Sequence, residues 1–278
     1  MATIKRRRPR TPSLRYQQYL VSDELSKKTP EKGLVVSFGR SGGRNAYGRI
    51  TVRHRGGGAK RKYRIIDFKR EQIGVPGRVA AIEYDPNRNV PIALISYKNG
   101  AKGYILKPDS LKVGDEIIAS DSAEAKVGNC LPLRNIPVGF FVHNVELQPG
   151  QGGKFARSAG SSVQLVAKEN NLAILKMPST ELRTVSLECR ATIGVLDNAE
   201  YRNIILGKAG RTRHMGFRPS VRGMAMNPID HPHGGGEGRS KSGSHPVTPW
   251  GRSCKGARTR KRKSSAILKR RKTGKKKD

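Results

Sequence analysis

Positive charge in this 278-residue sequence is concentrated at the two ends. Residues 1–60 contain 15 Lys and Arg against three Asp and Glu, and residues 201–278 contain 22 against three. The residues between them contain 19 against 15, so that 31 of the 35 excess positive charges lie in the ends. A single compact domain with this charge would repel itself, whereas two basic arms on a near-neutral folded centre suit a polyanionic partner.

The remaining composition excludes several classes of protein. Hydrophobic residues make up 35 % of the sequence and aromatic residues 5 %, too little to pack the whole chain around one core. The longest apolar stretch, residues 136–142, is interrupted by Pro137 and Gly139 and is too short for a membrane span. The three cysteines form no C-x-x-C pair, and no apolar segment follows the N-terminal basic cluster. These features predict a cytoplasmic protein without a disulfide framework or a secretory signal.

The near-neutral centre carries the patterns of short β-strands. Residues 184–193 alternate strictly between apolar and polar, which predicts one half-buried strand. The predicted strands cover residues 78–84, 92–97, 103–106, 163–166, 172–176 and 184–193. Lys98-Asn99-Gly100 is predicted to turn the chain between the second and third of these strands, and residues 168–171 to form a hairpin between the fourth and fifth. Because turn residues separate them at short intervals, they favour two small barrels, before and after Cys130, over a parallel sheet with crossover helices.

One short helix is predicted beyond the strands. Asn198 is a candidate N-cap, Tyr201, Ile204 and Ile205 share one face, and Gly207 is a stop signal. Residues 208–278 show scarcely any apolar periodicity, so they are expected to lack regular structure in the absence of a partner.

Two basic segments combine arginine with triple glycine. The first covers residues 53–64 and contains Gly56-Gly57-Gly58; the second covers residues 211–239 and contains Gly234-Gly235-Gly236. Glycine lets backbone N–H groups approach phosphate oxygens, and guanidinium groups bind phosphate through two donors. The predicted RNA-binding residues in these two segments are Arg53, His54, Arg55, Gly56, Gly57, Gly58, Lys60, Arg61, Arg64, Arg211, Arg213, Arg218, Arg222, Asn227, Asp230, His231, His233, Gly234, Gly235, Gly236 and Arg239.

RNA is favoured over DNA because the basic residues lie in extended arms rather than on a recognition helix, and neither zinc-finger nor zipper spacing is present. Four other interpretations of these residues can be considered. The glycine-rich segments could be solvated linkers, or the arms could coat DNA as an architectural protein. Alternatively, Asp230 could orient His231 as a general base, or His231 and His233 could bind a metal with His245 and Cys254. No separate nucleophile and no standard zinc spacing accompany these residues, so catalytic and metal sites are both predicted to be absent.

The glycine-rich segments closely resemble the bacterial-type ribosomal protein L-two family, and the resemblance extends along essentially the whole chain. Its most specific part is Val221-Arg222-Gly223-Met224-Ala225-Met226 followed by residues 227–239 (NPIDHPHGGGEGR) and by residues 245–251 (HPVTPWG). A second part is residues 51–60 followed by residues 63–68 (YRIIDF). A pattern of this length and specificity is not expected by chance. The resemblance adds His245 and Trp250, both in residues 245–251, to the expected RNA-binding residues.

The resemblance implies a mainly β fold, in which an oligonucleotide-binding (OB) barrel precedes an SH3-like barrel. The expected boundaries are a basic N-terminal extension at 1–60, the OB-like barrel at 61–125, the SH3-like barrel at 126–200 and a basic extension at 201–278. The implied function is that of a structural, non-enzymatic constituent of the large ribosomal subunit. It would support subunit association and the architecture of the peptidyl-transferase region.

The resemblance also implies the partners. These are large-subunit (23S-type) ribosomal RNA, small-subunit RNA across the interface and other ribosomal proteins, with no cofactor, membrane or small-molecule substrate. His231 falls at a histidine position once suspected of catalysing peptide transfer, a step now assigned to RNA. Two residues depart from the family pattern: Ala59 replaces a common histidine, and His214 replaces a common tryptophan for which Phe217 could compensate.

Overall fold

A computed structural model describes residues 3–238, 243–255 and 264–271. The chain divides into two compact units, each made of separate stretches of sequence. The β unit comprises Met1–Gly39, Lys60–Lys208 and Ser265–Asp278, and the loop unit comprises Arg40–Ala59 and Ala209–Ser264. Among the described residues, no helix has the length and apolar character needed to cross a membrane.

The first half of the β unit contains two small strand pairs and a four-stranded sheet. The pairs are β1 (Thr3–Arg6) with β2 (Gln18–Val21), and β3 (Val35–Ser37) with β4 (Lys62–Arg64). The sheet has the antiparallel order β7-β6-β5-β8, formed by β5 (Gly77–Glu83), β6 (Ile92–Tyr97), β7 (Lys102–Leu106) and β8 (Glu116–Ile117). The first three strands of this sheet confirm the predicted ones at 78–84, 92–97 and 103–106.

The second half of the β unit is built on a seven-stranded sheet of order β17-β15-β14-β13-β10-β16-β9. Its core is a cluster of buried aliphatic side chains that includes Leu133, Ile136, Val163, Leu165 and Leu175. The strands are β9 (Cys130–Pro132), β10 (Phe141–His143), β13 (Val163–Glu169), β14 (Leu172–Lys176), β15 (Leu182–Ser186), β16 (Arg190–Ile193) and β17 (Ile267–Lys269), with β11 (Val145–Glu146) and β12 (Gly153–Phe155) forming a separate pair. Together the two halves confirm the mainly β fold class with OB and SH3-like barrels.

The hairpin between β13 and β14 confirms its prediction. Glu169 pairs with Leu172, so Asn170 and Asn171 form a two-residue turn. Their φ angles are 46° and 60°, and positive φ at both central residues is the geometry of a type I′ turn. Asparagine tolerates this conformation better than other non-glycine residues, so local turn chemistry determines the register here.

The single strand predicted at 184–193 is wrong. The chain leaves β15 at Ser186, turns through a hydrogen bond from Cys189 N–H to Ser186 O (3.1 Å), and enters β16 at Arg190. The two strands then pair with different neighbours. Val185, Cys189, Ala191 and Ile193 are buried as the alternation predicts. Leu187 is only partly buried, and Thr192 of the predicted polar face is buried as well, because the backbone turns between two strands.

The predicted helix at 198–207 is also wrong. Only a 3-10 helix at Ala199–Asn203 forms, and Asn198 before it has a left-handed φ of 69° and makes no side-chain cap. The α-helix of the described residues is α1 (Ala209–His214), which lies where no regular structure was expected. Further 3-10 helices cover Lys32–Leu34, Leu133–Asn135 and Gly223–Ala225. The C-terminal arm also supplies β17, a second exception to that expectation.

Glu146 ties three backbone segments of the β unit together. Its carboxylate is buried and accepts hydrogen bonds from Gly150 N–H (3.2 Å), Gly152 N–H (2.8 Å) and Arg190 N–H (3.0 Å). A charged acceptor makes stronger hydrogen bonds than a neutral one, and burial keeps water from competing. The carboxylate therefore joins the loop after β11 to the start of β16.

His143 should make the stability of the β unit depend on pH. Its buried Nδ1 donates to Gly194 O (2.9 Å), and burial lowers its pKa from 6.5 to about 4. The unfolded chain therefore binds a proton that the folded chain does not, so stability is lost as the pH falls from 6.5 towards 4. We expect His143 to contribute a loss of about 2 kcal/mol between pH 7 and pH 5.

Denaturant unfolding of the native chain and of His143→Asn at both pH values measures this contribution. The asparagine amide can donate to the same carbonyl but does not titrate. The native chain should lose more stability than the variant, and equal losses would contradict the assignment to His143.

Candidate nucleic-acid interface

The loop unit brings the two glycine-rich segments together as an antiparallel ribbon. Arg55 and Phe217 form an antiparallel bridge. Backbone hydrogen bonds run from Gly56 N–H to Gly216 O, from Ala59 N–H to His214 O and from Arg218 N–H to His54 O, each 3.0 Å long. Stretches of sequence about 160 positions apart therefore share one short ribbon.

The close approach of the two backbones requires glycine at position 58. Gly58 has a φ of 89°, and a Cβ there would lie 2.8 Å from both Gly216 N and His214 O. A side chain at this position would be strained and would collide with backbone atoms of the second segment. The sequence predicts that glycine here lets backbone N–H groups approach phosphate. The structure adds a second role, because Gly58 allows the two basic segments to pair.

The arginines beside the ribbon are held by carbonyl groups and by an aromatic ring. Arg40 donates to Gly57 O and to Ala59 O, and Arg213 Nη1 donates to Phe217 O (3.0 Å). The Arg55 guanidinium lies 4.2 Å from the centre of the Phe217 ring. A guanidinium has five N–H donors, so these contacts orient the group and leave donors for a further ligand.

A tight loop follows, which encloses His231. Asp230 N–H and His231 N–H both donate to Asn227 O (3.0 and 3.3 Å), and Gly234 N–H donates to His231 O (2.8 Å). The His231 side chain packs directly against Gly223, where a Cβ would lie 2.5 Å from the ring. Only 8 % of His231 is exposed, so the histidine belongs to the interior of this loop.

Hydrogen bonds from backbone N–H groups determine which nitrogen of each histidine ring is an acceptor. His233 N–H donates to His231 Nδ1 (3.0 Å), and Val247 N–H donates to His233 Nε2 (3.1 Å). Each ring therefore uses one nitrogen as an acceptor within the loop unit. Over residues 3–238, 243–255 and 264–271, no group of three or more His, Cys, Asp or Glu is placed to hold a metal ion.

A hairpin carries Trp250 at its tip. Val247 and Ser253 form an antiparallel bridge, and Cys254 N–H donates to Pro246 O (2.9 Å). Trp250 is 75 % exposed, and the Arg53 guanidinium lies 5.3 Å from the centre of its ring. The hydrogen bond from Val247 to His233 connects this hairpin to the histidine loop.

The predicted site residues divide between the two units. The β unit contains Lys60, Arg61 and Arg64, and Arg239 lies outside the described residues. The loop unit contains the rest, namely Arg53, His54, Arg55, Gly56, Gly57, Gly58, Arg211, Arg213, Arg218, Arg222, Asn227, Asp230, His231, His233, Gly234, Gly235, Gly236, His245 and Trp250. Sequence reasoning missed Arg40, although its position beside Gly39 and Gly42-Gly43 repeats the arginine–glycine pattern.

A second group of arginines and aromatic rings stabilises the β unit itself. The Phe68 ring has Arg157 at 3.7 Å and Arg88 at 5.8 Å from its centre. Phe68 O accepts hydrogen bonds from Gly153 N–H (2.9 Å) and from Asn144 Nδ2 (3.1 Å). Burial lowers the pKa of Arg157, in keeping with a guanidinium used for internal packing.

Family models match most of the chain in two consecutive parts. Residues 31–119 match "Ribosomal Proteins L2, RNA binding N-terminal domain", and residues 126–251 match "Ribosomal Proteins L2, C-terminal domain". The second match includes the histidine loop and Trp250. The chain therefore belongs to the ribosomal protein L2 family, whose members are structural, ribosomal-RNA-binding proteins of the large ribosomal subunit.

Proposed function

We propose that the loop unit binds 23S-type ribosomal RNA where RNA segments pack closely, and neutralises phosphates that would otherwise repel each other. The observation that carries this proposal is the ribbon formed by the two basic glycine-rich segments, which places Arg40, Arg55 and Arg213 around one short element. Preorganised guanidinium groups lose less conformational entropy on binding phosphate than groups on a disordered arm.

Through this RNA contact, the protein supports subunit association and the architecture of the peptidyl-transferase region. Its further partners are small-subunit RNA and other ribosomal proteins, and its location is the cytoplasmic ribosome. The OB-like barrel at 61–125 and the SH3-like barrel at 126–200 serve as the folded platform. The family matches support this division because they separate between residues 119 and 126.

We assign His231 a structural rather than a catalytic role. Its Nδ1 accepts a backbone hydrogen bond, and its ring is buried against Gly223. A general base oriented by a carboxylate would instead donate Nδ1–H to that carboxylate. His231→Ala should disturb ribosome assembly or subunit joining. Peptide-bond formation by the purified chain without RNA, abolished by His231→Ala, would contradict this assignment.

Affinity for purified large-subunit ribosomal RNA should fall steeply with salt. Arg55→Gln and Arg213→Gln should each reduce the log–log slope by about 0.7 to 0.9 for every phosphate contact removed. Filter binding across a potassium chloride series measures both affinity and slope.

The matched control is Lys126→Gln, an exposed residue of the β unit that pairs with Glu124. It should leave the slope unchanged. An affinity independent of salt would contradict the phosphate interface, and equal binding to duplex DNA of the same length would favour an architectural DNA-binding protein.

A further inference from the structure

Trp250 is the single tryptophan of the chain and stands at the tip of a well-defined hairpin. Thr248 N–H donates to Arg252 O (2.7 Å), and Gly251 N–H donates back to Thr248 O (2.9 Å). Gly251 has a φ of 74°, and proline at position 249 restricts the backbone before the tryptophan. The hairpin therefore presents the indole from a constrained backbone.

One face of the indole already has a cationic neighbour. The Arg53 guanidinium lies 5.3 Å from the ring centre, a distance typical of a cation–π contact. Since 75 % of Trp250 is nevertheless exposed, most of the remaining ring surface is open to a ligand. Arg53 belongs to the first basic segment and lies two residues before Arg55 of the ribbon. This contact therefore connects the hairpin to the ribbon.

The chemistry of this surface selects one kind of ligand. The indole has one N–H donor and a wide π face, so phosphate, which needs several donors, gains little from it. An unpaired nucleobase has a flat π face of similar size, and base–aromatic stacking accepts any base.

We propose that the open face of Trp250 stacks on an unpaired nucleobase of the bound RNA, giving a three-layer stack of base, indole and Arg53 guanidinium. This inference rests on the proposed RNA-binding function and adds a contact that does not depend on phosphate. Arg53 is a positioning residue, because it holds the indole from the opposite face.

Intrinsic fluorescence of the full chain tests the stack, since Trp250 is the only tryptophan. The probes are an oligoadenylate ten nucleotides long and an abasic ribose-phosphate oligomer of equal length and charge. At equal occupancy, oligoadenylate should quench the tryptophan emission, and the abasic oligomer should leave it nearly unchanged. Equal quenching by both oligomers would overturn the inference.

Anisotropy of the labelled oligomers tests the same contact through affinity. Trp250→Ala should weaken binding of oligoadenylate by roughly 5- to 150-fold, the range for loss of one base stack, and leave abasic binding and the salt slope unchanged. Tyr47→Ala is the matched control, because Tyr47 is another exposed aromatic residue of the loop unit. Arg53→Gln should reduce the quenching that oligoadenylate causes in the native chain.

Equal effects of Trp250→Ala and Tyr47→Ala on oligoadenylate binding would overturn the stacking contact. Salt-dependent binding of both oligomers, with the emission of Trp250 unchanged, would overturn it as well and leave the proposed phosphate interface standing. Absence of salt-dependent binding to both oligomers and to purified large-subunit ribosomal RNA would instead contradict the proposed function itself.

Discussion

Replacing Glu146 with alanine should lower the free energy of unfolding by about 4 kcal/mol. The substitution removes the acceptor of three backbone N–H groups, those of Gly150, Gly152 and Arg190. A buried donor left without a partner costs about 1 to 3 kcal/mol, and the bonds lost here are to a charged group. Denaturant unfolding followed by circular dichroism measures the change.

Glu188→Ala is the control for this experiment. Glu188 is an exposed acidic residue of the same half of the β unit and pairs with Arg134 on the surface. Removal of an exposed ion pair should change stability by less than about 1 kcal/mol. If Glu146→Ala lowered the free energy of unfolding as little as Glu188→Ala does, the three backbone donors would have found other partners without the Glu146 carboxylate.

Gly58→Ala should weaken binding to large-subunit ribosomal RNA by at least about tenfold, a loss of about 1.4 kcal/mol. The new Cβ would meet Gly216 N and His214 O at 2.8 Å, so the two basic segments could not keep their present pairing. Their arginines would then have to be ordered by the RNA itself, which costs binding free energy. Filter binding at constant salt measures the loss.

Gly48→Ala separates backbone strain from collision. Gly48 has a φ of 75°, close to the 89° of Gly58, but no heavy atom lies within 4 Å of its added Cβ. The control variant should therefore carry a similar conformational cost and retain RNA affinity. An equal loss of affinity in both variants would show that strain, rather than separation of the segments, explains the effect.

Elements defined by neighbouring residues could be predicted from the sequence. The β13–β14 hairpin follows from two consecutive asparagines between apolar runs, and the β6–β7 turn follows from Lys98-Asn99-Gly100. In both cases the turn residues and the strand pattern act over fewer than about ten residues. Local chemistry is sufficient there because the partners in each hairpin are neighbours in the chain.

Elements that depend on distant partners could not be predicted in this way. The alternation over 184–193 identifies most of the buried side chains but not Thr192, and it contains no signal for the turn at Cys189 that sends β16 to a different neighbour. The two glycine-rich segments were recognised separately, and only the three-dimensional structure pairs them. The burial of His231 against Gly223 likewise depends on a residue eight positions earlier, outside the histidine motif.

The position of β17 determines when one edge of the seven-stranded sheet can be completed during synthesis. Thr184 N–H of β15 bonds to Ala266 O just before β17, and 82 positions separate the two residues. During synthesis from the N-terminus, β15 is therefore made well before the strand that covers its outer edge. Until then, its free N–H and C=O groups can pair with a strand of a second nascent chain. The pairing of β17 with β15 closes this edge, so the last strand to be made is the one that removes the opportunity for such pairing.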